Sequence, residues 1–252
     1  MHSTHVRLPE GVDVALHRSG PPGTTTAVLV HGIGMTHRTF ADLQPLLASR
    51  GPVVSVDLPG FGATARPSRA FSIADHAAAL DAALERTGVG RRVLVGHSMG
   101  AQVAVEHAVR RPDVVAGMVL VGPVVDRRRR SLGAQARDLG LDTLREPPGV
   151  NARVLTDYVR GGPGWYLATL RTMFAYDIAE QLTRARVPVV VVRGEHDPVA
   201  RHAWCRQLVA AATGPAELVT VPGSAHVVPI TGSAPLAGVI ARLVDANPGA
   251  GL

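Results

Sequence analysis

Short apolar runs without internal alternation recur along the chain, each closed by a glycine or a turn. They are TTAVLVHG (25–32), PVVSVDLPG (52–60), RRVLVGHSMG (91–100), AGMVLVGP (116–123), VPVVVVRGEHDP (187–198) and ELVTVPGSAH (217–226). Strands that are apolar on both faces belong inside a parallel sheet covered on both sides. Stretches with helical spacing separate them. RTFADLQPLLASRG (38–51) reads as a helix closed by Gly51, and FSIADHAAALDAALERTG (71–88) as an amphipathic helix. Ser72 and Asp75 give the second helix a capping box, and Gly88 gives it a C-terminal stop. Further helices are expected at 199–212 and 234–245. At the start, HVRL (5–8) and VDVALHR (12–18) alternate as an opening hairpin does. The pattern predicts an α/β chain with a mostly parallel, doubly wound sheet and right-handed crossovers.

One segment breaks the alternation of strand and helix. Between about Val124 and Arg186 the pieces 131–144, 151–161 and 164–185 have helical character and none is a strand. EPPGV and GGPG interrupt them, and the segment concentrates aromatic residues: Tyr158, Trp165, Tyr166, Phe174 and Tyr176. This predicts a core domain built from 1–123 and 187–252, with 124–186 inserted as a helical cap. Long insertions on a rigid scaffold commonly carry function.

Composition narrows the classes. The chain has 252 residues, 46% of them hydrophobic, enough for one sizeable core. No apolar run is long enough to span a bilayer, and the N-terminus lacks the pattern of a secretory signal, so a cytoplasmic protein without membrane attachment is expected. All 26 basic residues are arginine, and against 20 acids they leave a net charge of +6. Apart from Arg127–Arg130 they are scattered, unlike the clustered footprint of a nucleic-acid binder. The run Arg127–Arg130 reads as a solvated turn, or as a dock for an acidic group such as a carboxylate or phosphopantetheine. The single cysteine, Cys205, has no partner for a disulfide or a metal site and reads as a small core residue. No metal and no cofactor is expected, and a homodimer is allowed.

The chemistry is concentrated at strand ends. In GHSMG (96–100), Ser98 stands where a strand turns into a helix, the setting of a nucleophile elbow. A serine nucleophile needs a histidine base held by a carboxylate. Strand-end loops supply both: Asp197 in RGEHDPVA and His226 in PGSAHVVP. Glu195 and Asp126 are the other candidates for the acid. Asp197 is favoured because Pro198 fixes the turn that aims it. The backbone N–H groups of Met99 and Ile33 are the candidate oxyanion hole, with Gly32 and Gly34 giving the backbone room to approach. His31 reads as a structural residue of its loop, and His37 and His97 as packing or solvent-facing residues. Trp165, Tyr166, Met173 and Phe174 of the insertion, with Val227, are candidates for the substrate pocket.

HGIG (31–34), DLPGFGAT (57–64), GHSMG (96–100), GEHDPV (194–199) and GSAH (223–226) together resemble the α/β-hydrolase fold superfamily, in its motif order and spacing and over nearly the whole chain. The resemblance implies Ser98 as nucleophile, Asp197 as acid and His226 as base. Ala225 stands where the family often has glycine before its histidine. Thr231 and Pro235 occupy a region where members carry an acid and a proline, which allows a shifted start for the last helix. Ser98 excludes the aspartate-nucleophile epoxide and haloalkane hydrolases, and Val227 departs from the tryptophan usual in carbon–carbon hydrolases. The expected activity is acyl-enzyme hydrolysis of a small hydrophobic ester, lactone or thioester. The alternatives are a small-molecule receptor on the same fold, or a lyase, cyclase or carbon–carbon hydrolase using the same three residues.

Overall fold

A computed structural model of the chain describes residues 1–129, 133, 137, 141–143, 145–152, 156 and 162–247. Eight strands form one sheet in the order β1-β2-β4-β3-β5-β6-β7-β8. They are β1 His2–Arg7, β2 Asp13–Ser19, β3 Thr26–Val30, β4 Val53–Asp57, β5 Arg92–His97, β6 Val115–Val121, β7 Val189–Gly194 and β8 Ala216–Val221. The opening hairpin β1–β2 joins β4 antiparallel, and every other pairing is parallel. All six apolar runs are therefore strands, and β3 to β7 are buried throughout.

Helices cover both faces. The α2 helix (Ile73–Arg86) and α3 helix (Met99–Arg110) pack on one face and share its core with Leu94, Met118 and Val191 of the sheet. The α1 helix (Leu43–Ala48) and the C-terminal helix Ser233–Asp245 close the other face over Leu29, Val95 and Val119. The capping box of α2 forms as expected: Asp75 N–H donates to Ser72 Oγ at 3.1 Å, and Ser72 N–H donates to Asp75 Oδ2 at 2.8 Å.

Two helices differ from the expectation. The stretch 38–51 divides into a 3-10 turn at His37–Phe40 and the short α1. Pro45 has no N–H to donate back to Ala41, so a continuous helix would lose a bond there, whereas proline fits the first turn of a helix that begins at Leu43. The stretch 164–185 likewise divides into α4 (Pro163–Ala175) and α5 (Ile178–Leu182). Asp177 lies between them in extended backbone and caps α5 by accepting Glu180 N–H at 3.1 Å. The expected helices at 131–144 and 151–161, with Tyr158, lie largely outside the described residues. Helices α6 (His202–Ala211), α7 (Val228–Thr231) and α8 (Ser233–Asp245) follow. The short α7 precedes the last helix, which begins at Ser233.

The chain runs outward from β3 to β4, then returns past β3 to β5, so the order reverses between β3 and β5. A crevice opens at such a reversal, beyond the C-terminal ends of the parallel strands. The loops that follow β3, β5, β7 and β8 meet at that edge.

Candidate active site

Ser98 joins β5 to α3 with φ 54° and ψ −117°, the one residue other than glycine with positive φ among the described residues. Non-glycine residues are held there at a cost, and such backbone is often found at functional sites. The flanking glycines have a steric cause. A Cβ on Gly96 would collide with the carbonyl oxygen of Gly100, and a Cβ on Gly100 with that of Val30. The turn is thus packed backbone against backbone, and Ser98 N–H donates to Val121 O at 2.9 Å.

Asp197 and His226 arrive from the ends of β7 and β8. His226 Nδ1 donates to Asp197 Oδ2 at 2.9 Å. The other carboxylate oxygen accepts two amides, Val199 N–H at 2.8 Å and Ala200 N–H at 2.9 Å. Burial by itself would raise the Asp197 pKa; the His226 charge and N–H, together with those amides, hold it below its ordinary value. Burial lowers the pKa of His226, but the Asp197 carboxylate beside it prevails, and His226 is held well above the usual imidazole value. Neither competing acid meets His226. Glu195 is exposed and accepts Gly223 N–H at 3.0 Å, while Asp126 accepts Arg128 N–H at 2.9 Å. Arg193, which the sequence reading did not single out, props the Asp197 loop from β7. Its buried guanidinium donates to Ala200 O at 3.1 Å and Glu195 O at 3.0 Å. On the far side of His226, a Cβ on Gly122 would stand 2.9 Å from its Cε1.

The loop after β3 lies against the serine. A Cβ on Gly32 would stand 3.1 Å from Ser98 Cβ. His31 fixes this loop: its Nε2 accepts Leu58 N–H at 3.1 Å, so its Nδ1 carries the proton and donates to Gly32 O at 2.8 Å. Ser98, His97 and His226 line a cavity of about 90 Å³, with Ile33, Met35 and Val227 as apolar wall. Met99, whose side chain is buried in the core, contributes the first amide of α3.

The remaining lining comes from Asp142, Thr143, Glu146 and Asn151, in the segment between β6 and β7. Asp142 Oδ1 accepts His226 N–H at 2.9 Å, and Glu146 Oε1 accepts Val227 N–H at 2.8 Å. Both carboxylates are buried, and burial pushes both pKa values up. The sequence reading missed them. Their spacing of four residues just before a PPG break was the available signal, but nothing in it points to amides in a distant loop. Of the pocket residues expected from the sequence, Gly34 lines a separate cavity of about 320 Å³ beside Phe61 and Arg66. Trp165 packs against Gly60, with its ring 6.4 Å from that of Phe61. Met173 is buried in the core, its carbonyl accepting Gln102 Nε2–H at 3.0 Å, and Tyr166 and Phe174 pack around that core. Among the described residues, these four aromatic and methionine side chains do not line the Ser98 cavity.

Residues 27–242 match the Alpha/beta hydrolase family. The chain belongs to that family. Lipase LipV of Mycobacterium tuberculosis is 36% identical over 116 residues, covering 45% of this chain and 43% of LipV. The pimeloyl-[acyl-carrier protein] methyl ester esterase of Neisseria meningitidis is 30% identical over 207 residues, 72% of this chain and 78% of that one. Several curated relatives are matched over less than half their own length. Among solved structures, Est816, described as an N-acyl homoserine lactone degrading enzyme, superposes with a TM-score of 0.83 at 22% identity, covering 96% of this chain and 100% of Est816. Among the described residues, no helix of this alpha/beta hydrolase is long and apolar enough to cross a membrane.

Other polar clusters of the alpha/beta hydrolase scaffold have local explanations. His17, His37 and Asp57 come together, His17 Nε2 at 3.2 Å and His37 Nδ1 at 3.0 Å from the carboxylate. The two imidazoles are stacked with centroids 3.6 Å apart and 25° between their planes. Asp57 also accepts the amides of His37 and Ala63 at 2.7 and 3.1 Å, and so ties the loops after β3 and β4 together. His37 is therefore a loop anchor. His97 is a buried residue whose Nε2 donates to His226 O at 3.1 Å. Arg127 shares its Nε–H between the two oxygens of Asp177, at 2.8 and 2.9 Å, which ties it to the start of α5; Arg130 lies outside the described residues. Cys205 is buried, and burial pushes its thiol up to about 12.

Proposed function

We propose that this alpha/beta hydrolase is a serine hydrolase that cleaves a small carboxylic ester, lactone or thioester through an acyl-enzyme. The observation that carries the reading is a strained Ser98 opening on the same cavity as a His226 held at Nδ1 by buried Asp197. His226 Nε2 takes the proton of Ser98 as its oxygen attacks the carbonyl, and Asp197 stabilises the imidazolium that forms. The Met99 amide, at the positive end of α3, and the Ile33 amide, in the loop against Ser98, receive the developing oxyanion. His226 then returns the proton to the leaving alcohol or thiol, and a water activated by the same imidazole releases the acid. The segment 124–186 acts as a cap whose residues shape the pocket.

The lipase and the methyl ester esterase named above support the reading, since lipases and esterases hydrolyse carboxylic esters. The test is a chain-length series of p-nitrophenyl esters. Ser98→Ala is expected to lose about a thousandfold or more in kcat/KM. Undiminished hydrolysis by that variant would overturn the assignment.

A further inference from the structure

The mechanism above leaves two buried carboxylates in the catalytic cavity without a role. Asp142 and Glu146 are each 6% exposed, and both line the cavity that holds Ser98 and His226. Each gives one oxygen to an amide of the loop that follows β8. That contact staples the segment to the His226 loop, and asparagine or glutamine would make it equally well. Carboxylates make it at a higher desolvation cost. Glu146 Oε2 moreover has no hydrogen-bond partner among the described residues, although it is buried. A buried oxygen left unsatisfied in a catalytic cavity is an acceptor waiting for a donor.

The surroundings say which kind of donor. Asp142, Glu146 and Asp197 put three carboxylates around one imidazole. The chain has no lysine, and among the described residues no arginine lines the cavity; the neighbouring Arg145 donates Nη1–H to His196 O at 2.8 Å. The pair is held in place by Asn151, whose Nδ2 donates to Thr143 O at 2.8 Å and to Glu146 O at 3.3 Å. Ile33, Met35 and Val227 supply the apolar part of the same lining.

We propose that Asp142 and Glu146 determine specificity by accepting hydrogen bonds from an N–H or O–H donor on the substrate, an ammonium best of all, placed close to the carbonyl that Ser98 attacks. This rests on the serine-hydrolase reading. A cationic donor satisfies Glu146 Oε2 and balances the excess of carboxylates; a hydroxyl satisfies the oxygen alone; a substrate carboxylate adds repulsion. The preferred substrates are amino- or hydroxy-substituted esters, lactones or thioesters, and the disfavoured ones are half-esters of dicarboxylic acids.

Two isosteric series test it, with acid release followed by pH-stat. On the acyl side they are methyl 3-aminopropanoate, methyl 3-hydroxypropanoate, methyl butanoate and monomethyl malonate. On the alcohol side they are 2-(dimethylamino)ethyl acetate and its carbon isostere 3-methylbutyl acetate. In at least one series the ammonium ester should exceed its alkyl isostere by about tenfold or more in kcat/KM, mostly through KM, with the half-ester lowest. In Glu146→Gln, which keeps an oxygen for the Val227 amide, that ratio should fall to within about twofold. A staple alone would leave the ratio unchanged. Labelling of Ser98 by a fluorophosphonate, together with no preference in either series or an unchanged ratio in Glu146→Gln, overturns the specificity proposal and leaves the hydrolase reading standing. Failure of a folded protein to label at Ser98 overturns the hydrolase reading itself.

Discussion

The carboxylate of Asp142 accepts the backbone N–H of His226 at 2.9 Å, so the β6–β7 segment grips the loop of the proposed base. Among the described residues, the charges facing His226 are Asp197, Asp142 and Glu146, with the His97 ring 5.1 Å away. Burial alone would lower the His226 pKa, but the carboxylates push it up to about 9. A base must be neutral to act, so kcat/KM should rise with pH along a limb centred well above the usual imidazole range. Asp142→Asn keeps an acceptor for the amide and removes a charge, so its limb should move to lower pH. A pH–rate profile checks both statements. Stability follows the opposite sense: a raised histidine pKa stabilises the fold at low pH, and that contribution is lost as pH rises through about 9.

Gly96 and Gly100 have no room for a side chain, because the obstructing atoms are backbone carbonyls of Gly100 and Val30. Gly96→Ala or Gly100→Ala should cost about 3 kcal/mol or more, or prevent folding. Denaturant unfolding measures this. Gly88→Ala is the contrast: it meets no neighbour within 4 Å, and its cost should come only from its φ of 70°.

Ser98 is strained because its position demands positive φ of a residue with a Cβ. Ser98→Ala keeps the Cβ, and Ser98→Gly removes it. Both should be inactive, while the glycine variant should unfold at higher denaturant, by about 1 kcal/mol relative to the alanine variant. Equal stability would mean that the turn carries no strain.

His76 is fully buried beside Phe61 and Phe71, and burial lowers its pKa to about 3. Below the ordinary imidazole value of 6.5 the unfolded chain takes up a proton that the folded chain refuses. Stability should therefore fall as pH drops from about 6.5 towards 3, by up to roughly 1.4 kcal/mol per pH unit from this group. Thermal unfolding of His76→Leu should show a shallower loss over that window.

What the sequence made legible depended on how far each cause reaches. β3 to β7 could be read because burial on both faces leaves local runs such as VLV and VVVV. The elbow at Ser98 could be read because its two glycines answer to one local turn. Asp197 and His226 followed because strand ends converge in a parallel sheet. The division of 38–51 was legible in principle, since Pro45 marks it. Asp142 and Glu146 were not: their partners are main-chain amides 84 and 81 residues further on, and an amide leaves no mark in a sequence. Trp165 was expected at the pocket from its aromatic character, but character does not specify direction, and it packs on Gly60.

Whether Ser98 is an activated nucleophile is decided by peptide mass spectrometry after treatment with a fluorophosphonate, which labels an activated serine. One adduct is expected, on the peptide containing Ser98, lost in Ser98→Ala and strongly slowed in His226→Ala. A folded protein that takes no label, or takes it at another residue, would rule out Ser98 as the nucleophile.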